Sequence, residues 1–279
     1  MTPAVPSWGS SSTPDQRYFT LNVGGPSEAR AARLADFLTE VSADVVVLTE
    51  TRTNRGTQLL LEWCKASGYS VSAQEPMSAG ERGVVIAYRL PAGAPVAVGP
   101  IGLPHRLAAV ELLLEPRLTV VGAYVPSRDG SAPKIARKRS FLLEMQACVS
   151  TWMKGRSLML LGDLNVVARD HQPRYSAFRA WEYETLDNLQ GAGLVDLFAE
   201  LHPGVQAHSW IGRTGDGYRY DYALLSPCLA ERAISCEYVH EPRELGLSDH
   251  AGLLVHLRAR AAAVSQEGPH RHRGALELV

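Results

Sequence analysis

Cysteine is scarce in this sequence. The 279 residues include only four cysteines, Cys64, Cys148, Cys228 and Cys236, and no two of them form a CxxC pair. Disulfide-stabilised secreted domains and structural zinc sites depend on denser, paired cysteines. The scarcity therefore argues against both kinds of scaffold and predicts four reduced thiols, half-buried in the core.

A long apolar run and an excess of charge are also missing. No stretch approaches the roughly 18 apolar residues that a membrane span needs, and residues 1–16 have neither the basic nor the apolar region of a signal peptide. We therefore expect a cytoplasmic protein that makes no membrane contact. Because the 28 basic and 29 acidic residues nearly cancel, any phosphate-binding surface must be local.

What the sequence does contain is enough apolar residues for a large core. Hydrophobic residues make up 46% of the chain, and its length is at the upper end for one domain. Residues 1–16, rich in Ser, Pro and Thr, predict a flexible leader, and residues 259–279 predict a similar tail. The folded domain is expected between them, over residues 17–258.

The hydrophobic pattern predicts that strands and helices alternate. Apolar or alternating runs predict strands at 17–23, 43–50, 83–90, 107–115, 117–125, 157–167, 218–226, 233–241 and 251–259. Helical spacing predicts helices at 27–42, 54–68 and 132–155, and one or two more within 177–203. The strands in the middle of the chain look adjacent and largely antiparallel. This order predicts an α/β fold with two sheets packed face to face and helices outside.

Polar side chains stand where several of these strands end. They are Asn22, Glu50, Asp163, Asn165, Asp221 and the run Ser248-Asp249-His250. A carboxylate at the end of a buried strand loses hydration, which costs free energy unless a cation or hydrogen-bond donors meet it. Mg²⁺ prefers oxygen ligands and neutralises charge on a phosphate, and a histidine oriented by an aspartate can contact the same phosphate. Four carboxylates and one histidine therefore favour a magnesium-dependent phosphoester hydrolase.

Each of these motifs, taken alone, also has a purely structural interpretation. In LLGDLNVV (160–167), strand alternation would put Asp163 and Asn165 on one side, where they could share a water or a phosphate oxygen. The same GDLN could instead be a turn whose aspartate caps a helix. Glu50 could pair with a nearby arginine, and Asn22 could belong to a turn. The order of the motifs along the chain favours the functional interpretation.

Taken in order, the motifs resemble those of the endonuclease/exonuclease/phosphatase superfamily. The matching segments are LNVGG at Asn22, TETR at Glu50, YVPS at Tyr124, GDLN at Asp163 and Asn165, YRYDYALLS at Asp221 and SDH at 248–250. They span roughly residues 18–257, nearly all of the foldable chain. The resemblance implies a metal-dependent phosphoesterase over residues 17–258. It also implies a four-layered α/β sandwich of two mixed, mainly antiparallel sheets.

Within the superfamily, the chain looks most like the exonuclease III-type apurinic/apyrimidinic endonucleases. Residues 193–210, GLVDLFAELHPGVQAHSW, resemble the segment that leads to an aromatic loop near DNA in these enzymes. Four positions differ from their pattern: Ser127 stands where they usually have Asn, Leu21 where Trp is common, Gly24 where a polar residue is usual, and Arg52 where they have Lys. These differences concern the substrate more than the metal chemistry.

The resemblance implies a metal centre and a means of activating water. Glu50 would be the principal Mg²⁺ ligand, with Asn22 and Asp249 near the metal, and Mn²⁺ would be a substitute ion. Asp163 would orient or deprotonate the attacking water, with Asn165 beside it. Phosphodiester hydrolysis on DNA is the reaction that this arrangement implies.

The resemblance also implies residues that contact the substrate. His250, held by Asp221, would contact the scissile phosphate, and Tyr124 would lie near that phosphate or the leaving oxygen. Trp210 would lie beside a flipped-out or abasic sugar.

Two segments supply further candidate substrate contacts. Arg128 begins RDGSAPKIARKR (128–139), just after Tyr124, and His171 and Arg174 belong to RDHQPRYSAFRAW (169–181). Such side chains can bind phosphate or stack on bases. The alternative is that the first segment is the solvated start of a helix and that Trp181 belongs to the core.

DNA is the expected partner, and no obligate protein partner is implied. Two other functions stay open: hydrolysis of a small phosphorylated metabolite by a phosphatase or phosphodiesterase, and a non-catalytic binding module. The nearly neutral charge favours the metabolite. The complete set of acid, amide and histidine positions argues against the binding module.

Overall fold

A computed structural model of the protein describes residues 14–74, 78, 80–172, 174 and 177–259. In this part of the chain the strands are β1 Gln16–Asn22, β2 Val45–Arg52, β3 Ser70–Ala73, β4 Arg82–Tyr88, β5 Ala92–Pro95, β6 Leu107–Leu112, β7 Leu118–Tyr124, β8 Ser157–Asp163, β9 Val195–Asp196, β10 Trp210–Ile211, β11 Gly217–Tyr218, β12 Asp221–Leu225, β13 Ala233–Val239 and β14 Gly252–Leu257. The helices are α1 Glu28–Val41, α2 Arg55–Ala66, α3 Ala132–Trp152, α4 Ala180–Gly191, α5 Leu197–Leu201, α6 Pro227–Ala230 and α7 Glu241–Glu244, with a 3₁₀ turn at Pro104–Arg106.

The strands form two six-stranded sheets and one small hairpin. The first sheet has the order β13-β14-β1-β2-β4-β3, the second has the order β5-β6-β7-β8-β12-β9, and β10 pairs with β11. In each large sheet one neighbouring pair is parallel, β1 with β2 and β7 with β8, and the other pairs are antiparallel. Parallel neighbours need a crossover connection, which α1 and α3 provide. The predicted mixed, mainly antiparallel sheets are confirmed.

Three buried clusters show that the molecule has four layers. Residues of both sheets, such as Val47 and Val120, pack together in the central cluster. A second cluster joins the outer face of the first sheet to α1 and α2, and a third joins the outer face of the second sheet to α3 and α4. The layers are therefore helices, sheet, sheet, helices, which confirms the predicted sandwich.

Local sequence signals explain where the two helices of the first outer layer begin. The Ser27 side chain accepts a hydrogen bond from the Arg30 N–H, and the Asn54 side chain accepts one from the Thr57 N–H at 2.9 Å. These N-caps satisfy backbone donors that the first turn leaves free. The buried residues of α1, including Leu34 and Leu38, recur at helical spacing and face the first sheet.

Several sequence predictions need correction. The strand predicted over 157–167 ends at Asp163, because Asn165 has a left-handed backbone (φ 48°) that cannot continue a strand. The helical region at 177–203 is interrupted by β9, and the short strands β3 and β5 were not predicted. Of the cysteines, Cys64 and Cys236 are buried, whereas Cys228 is exposed, so the half-buried prediction is wrong for these three.

The predicted leader and tail lie largely outside the described residues. Gln16, the last residue of the predicted leader, is the first residue of β1 and pairs with Leu257. The backbone N–H of Ala259 donates to Asp15 Oδ1 at 2.8 Å. Among the helices that the structure describes, none combines the length and apolarity required to cross a bilayer.

Candidate active site

One edge of the sandwich collects strand ends from both sheets. In the first sheet Asn22 pairs in register with Thr49, so the carboxyl ends of the parallel strands β1 and β2 lie together. In the second sheet Asp163 is in register with both Tyr124 and Asp221. Since β12 runs antiparallel to β8 and β14 runs antiparallel to β1, the starts of β12 and β14 reach the same edge.

Asn22 links the carboxylates of the two sheets. Its Nδ2 donates to Glu50 Oε2 at 3.1 Å and to Asp163 Oδ2 at 2.9 Å, and it lies 3.4 Å from His250 Nε2. Its Oδ1 accepts from the Gly24 N–H at 2.9 Å, which fixes the amide orientation. Three residues that are far apart in the sequence thus meet around a side chain that is only 1% exposed.

Glu50 is held by groups from both sheets. The Tyr124 hydroxyl donates to Glu50 Oε2 at 3.0 Å, and Arg82 Nη1 lies 3.1 Å from Glu50 Oε1. Arg82 also donates to the Tyr124 hydroxyl at 3.3 Å. The Glu50 backbone is left-handed (φ 57°), and the pairing of β2 with β4 shifts register between Thr49 and Thr51. This bulge places Glu50 at the edge where the other acids lie.

His250 and Asp221 form a buried pair. His250 Nδ1 lies 2.7 Å from Asp221 Oδ2, and the His250 backbone N–H donates to Ser248 Oγ at 3.0 Å. Burial by itself lowers the pKa of His250, but the charge of Asp221 and its hydrogen bond outweigh burial and raise that pKa to about 9. His250 is therefore a cation at neutral pH, and its Nε2 points towards Asn22 and Asp163.

Asp163 is ionised less readily than an ordinary carboxyl. Burial, and then the neighbouring charge of Asp221, raise the pKa of Asp163 to about 7, while the positive charge of His250 opposes the rise. Asp163 Oδ1 accepts the Asn165 N–H at 2.9 Å. The Asp163 side chain is thus fixed in position, and its carboxyl group keeps its proton up to a higher pH than that of an ordinary aspartate.

The donor atoms fit a divalent cation. Ligand atoms of Asp163, Asp221 and His250 lie within 4.8 Å of one another. Because His250 is a cation here, the carboxylate oxygens are the ligands that this group offers. Asp221 Oδ1 is buried without a hydrogen-bond donor among the described residues, which costs free energy that a cation would offset. With Glu50 added, most of the available donors are carboxylate oxygens, the ligands that hard cations prefer.

Asn165 lies beside this cluster but not in the predicted way. Because the strand ends at Asp163, alternation does not orient Asn165, and its Nδ2 donates to the Val125 carbonyl at 2.9 Å. Its own carbonyl accepts from Lys138 Nζ at 2.6 Å. The link between Asp163 and Asn165 is the backbone N–H of Asn165, so the prediction that strand alternation aligns the two side chains is wrong.

Asp249 and Trp210 are joined at the rim. Trp210 Nε1 donates to Asp249 Oδ2 at 3.1 Å, and Trp210 forms a backbone bridge with His250. The Trp210 ring lies 5.9 Å from the rings of both Tyr218 and Tyr220. An aromatic cluster, in which Tyr218 is buried while Trp210 and Tyr220 are partly exposed, therefore begins directly next to the acidic cluster.

The predicted substrate-contacting residues lie in different places. Arg128 is nearly buried, forms an ion pair with the fully buried Glu182, and lines a cavity of about 540 Å³ that Asn165 also lines. His171 is buried and stacks on Tyr218 at 5.4 Å. Arg174 is exposed beside a separate depression. Within the described part of the chain, no hydrogen bond or ion pair joins His171 or Arg174 to the acidic cluster.

The solvated-helix alternative fails for two residues of the basic segment. Arg128 is nearly buried against Glu182, and Lys138 is buried and lies 2.6 Å from Glu182 Oε1. The core alternative holds in part for Trp181, which is partly buried against the third cluster's helices and sheet.

The sequence did not reveal two arginines next to the cluster. Arg82 contacts Glu50 and Tyr124, and the Arg106 guanidinium lies 4.6 Å from the centre of the Tyr124 ring. Both residues flank predicted strands, but only the pairing of β4 with β2 brings Arg82 to this edge. No local pattern in the sequence could have found them.

Comparison with known proteins agrees with this geometry. Residues 19–250 match the model of the Endonuclease/Exonuclease/phosphatase family. No match is found among curated protein sequences. Similar solved structures include a Neisseria 3′ phosphatase bound to a product DNA hairpin, with a TM-score of 0.75 and 21% identity, covering 87% of this chain and 99% of that one.

Two further structures have the same fold. An AP endonuclease from Archaeoglobus fulgidus has a TM-score of 0.74 at 21% identity over 86% of this chain and 98% of its own. A 3′–5′ exonuclease from Neisseria meningitidis has a TM-score of 0.76 at 22% identity over 86% of this chain and 99% of its own. The likenesses establish the fold, and the family match over most of the chain establishes more: the protein belongs to the Endonuclease/Exonuclease/phosphatase family and is a hydrolytic phosphoesterase.

Proposed function

We propose that the protein is a Mg²⁺-dependent phosphodiesterase that cleaves DNA, of exonuclease III or AP endonuclease type. The observation that carries the proposal is the junction at Asn22, whose amide contacts Glu50, Asp163 and His250 together. A metal-binding acid, a water-activating acid and a cationic histidine are the three parts that phosphodiester hydrolysis needs.

In this proposal Glu50 and Asp249 would hold the metal, and Asp221 would offer a further oxygen. Asn22 turns its Nδ2 to the acids and its Oδ1 to the Gly24 N–H, so it orients the carboxylates and does not bind the ion. Mg²⁺, with Mn²⁺ as a substitute, supplies a Lewis acid that neutralises charge developing on the phosphate. Because Glu50 also faces Arg82 and Tyr124, its carboxylate stays oriented before the metal binds.

The chain's own groups handle the water and the phosphate. Asp163, whose pKa is raised by burial and by the charge of Asp221, can accept the proton of an attacking water. The Asn165 N–H keeps the Asp163 carboxylate in position. His250, held as a cation by Asp221, contacts a phosphate oxygen, and the Tyr124 hydroxyl lies close to the same place.

DNA is the proposed substrate because two partly exposed aromatic rings, Trp210 and Tyr220, adjoin the acids. Trp210, Tyr218 and Tyr220 form a series of rings that starts at Asp249. Rings of this kind can contact bases or a displaced sugar. The Neisseria phosphatase of the same fold is bound to a DNA hairpin, and this supports the choice.

A small phosphorylated metabolite is the second candidate substrate. One observation favours it: the cavity of about 540 Å³ beside Asn165, which Phe178 and Tyr220 also line, falls within the size range of small-molecule sites. A phosphatase or phosphodiesterase would place the organic part of the metabolite there.

A substrate panel tests the proposal. The purified protein, with Mg²⁺ or Mn²⁺, is offered abasic duplex, nicked duplex, single-stranded DNA, RNA and a set of phosphate monoesters. We expect DNA cleavage that a chelator stops and that Asp163→Ala and His250→Ala each reduce by about 10² to 10⁴-fold. Arg169→Gln, an exposed ion-pair change, serves as the control and should keep full activity.

The panel separates the candidates. Turnover of monoesters without any DNA cleavage would identify a small phosphorylated metabolite, and not DNA, as the substrate. Metal-dependent activity that survives both alanine variants would contradict the assignment of the site.

A further inference from the structure

A second pocket, strongly basic, lies beside Tyr124. It has a volume of about 300 Å³, and Tyr124, Glu81 and six basic residues line it. We call this site the arginine pocket. Its basic residues are Arg52, Arg82, Arg106, Arg128, Lys134 and Arg137. Among the described residues, Glu81 is the single acidic one in this lining.

Neighbouring acids neutralise only part of this charge. Four of the six cations face a carboxylate: Arg82 faces Glu50 at 3.1 Å, Lys134 faces Asp129 at 2.8 Å, Arg137 faces Glu81 at 2.5 Å, and Arg128 faces Glu182. Arg106 reaches Glu81 only at 3.6 Å, and Glu81 also faces His105 at 3.3 Å. Counted over the described residues, six cations stand against four carboxylates, so the pocket has an excess of positive charge.

Arg106 indicates what kind of ligand is missing. It is 6% exposed, and its guanidinium lies over the Tyr124 ring. Among the described residues, its Nε and Nη1 have no hydrogen-bond partner, and the same holds for Arg52 Nε. Buried cationic donors without an acceptor are costly, so an anion at this place would satisfy them.

Phosphate is the anion that matches these donors. Guanidinium groups bind phosphate with paired N–H donors, and a cavity of about 300 Å³ has room for one. Tyr124 connects the pocket to the acidic cluster, because its hydroxyl contacts Glu50 and Arg82 while its ring contacts Arg106. A ligand there would thus be the immediate neighbour of the phosphate under attack.

We propose that the arginine pocket binds a second phosphate of a nucleic-acid strand, adjacent to the one that is hydrolysed. The proposal rests on the proposed function and extends it. The enzyme prefers substrates with at least two consecutive phosphates, and a simple monoester leaves the pocket without its ligand.

Binding without cleavage tests this proposal directly. The full chain in EDTA is titrated with a fluorescent oligonucleotide at several salt concentrations. Arg137→Gln should weaken binding about tenfold, the loss of one charge-assisted hydrogen bond, and should lower the salt slope by about one. Arg55→Gln is the matched control, since Arg55 is also a helical arginine paired with one glutamate, and it should leave both quantities unchanged.

Oligonucleotides with one neutral methylphosphonate linkage locate the contact. When the neutral linkage stands at one particular position, the wild type should bind the oligonucleotide more weakly. At that same position, the neutral linkage should cause no further loss of affinity in Arg137→Gln. Equal affinities and slopes for Arg137→Gln and Arg55→Gln would overturn the proposal, as would additive losses at every linkage. Inorganic phosphate that binds the wild type as tightly as the oligonucleotide does, and loses affinity in Arg137→Gln, would assign the pocket to a free ion instead of a strand.

The test of the arginine pocket can succeed or fail independently of the test of the proposed function. A protein that cuts no DNA but shows the single-linkage effect retains the pocket and loses the nuclease assignment. A protein that cuts DNA while Arg137→Gln binds normally retains the nuclease assignment and loses the pocket.

Discussion

His171 is a buried histidine outside the acidic cluster. Its side chain is 5% exposed, stacks on Tyr218, and lies 5.9 Å from the His208 ring. Burial, followed by electrostatic interactions with His208 and Arg219, lowers the pKa of His171, although Asp170 opposes the change. The fold therefore holds this imidazole in its neutral form.

Acid should destabilise the protein through this residue. The pKa of His171 in the folded state lies below the ordinary value. The contribution of the neutral His171 to the free energy of unfolding is therefore complete above about pH 6.5 and is lost as the pH falls through the lowered pKa. Urea unfolding at pH 7.5 and pH 5 measures the loss. His171→Phe keeps a ring against Tyr218 and should lose less stability between the two pH values; equal losses in both proteins would contradict the assignment.

At the scale of elements, Gly162 allows β7 and β8 to pair next to Asp163. Its φ is 140°, and a Cβ at this position would lie 2.1 Å from the Ala123 carbonyl oxygen. Backbone atoms cannot move aside as a flexible side chain can. Glycine is therefore needed one residue before the candidate general base.

Gly162→Ala should cost about 3 kcal/mol or more in the free energy of unfolding, through both the contact and the dihedral strain. Gly155→Ala is the control: its φ is 71°, but nothing lies within 4 Å of the added Cβ, so about 1 kcal/mol is expected. Urea unfolding compares the two variants. Similar losses would show that the close approach to Ala123 is unimportant.

A buried ion-pair network ties α3 and α4 to the end of β8. Glu182 is fully buried and accepts from Lys138, Arg128 and the Arg179 N–H. Lys138 in turn donates to the Asn165 carbonyl. The network thus supports Asn165, the left-handed residue two positions after Asp163.

Glu182→Gln should destabilise the protein by about 3–5 kcal/mol, because two buried cations lose their only negative partner in this network. Glu62→Gln, at the exposed pair with Arg55, should cost less than about 1 kcal/mol. Thermal or urea unfolding provides the comparison. A loss below about 1 kcal/mol for Glu182→Gln would mean that the network contributes little.

For the whole molecule, the site is complete only when both sheets pack together. Asn22 and Glu50 come from the first sheet, whereas Asp163 and Asp221 come from the second. Gly122 shows how close the sheets are, since a Cβ there would lie 2.7 Å from Val84 and 2.9 Å from Val47. A cation held by carboxylates of both sheets would therefore link the two halves.

Metal should stabilise the whole fold as one unit. At about 100 times the dissociation constant, Mg²⁺ or Mn²⁺ should add about 2.7 kcal/mol to the free energy of unfolding, seen as a rise in Tm. Glu50→Ala, which removes the principal proposed ligand, should reduce this rise strongly, and Arg169→Gln should leave it unchanged. An equal rise in Glu50→Ala would place the metal elsewhere.

Most of the fold follows from local patterns. The long strands and helices were predictable because their apolar residues recur with strand or helix periodicity. The edge strands β3 and β5 were not, since short, partly exposed strands bury little apolar surface and leave a weak pattern. At the candidate site, the positions of Asn22, Glu50, Asp163, Asp221 and His250 could be anticipated from polar residues at strand ends, although their roles stay predictions.

The sequence by itself determined the fold class, the family and the acidic and histidine positions of the site, because short-range periodicity and motif order encode them. Only the tertiary structure decided which groups meet. The bulge at Glu50, the backbone turn at Asn165, the burial of Arg128 against Glu182 and the arrival of Arg82 and Arg106 beside Tyr124 all depend on strand register and on how two sheets pack. Register and packing join residues far apart in the chain, and no local pattern specifies those contacts.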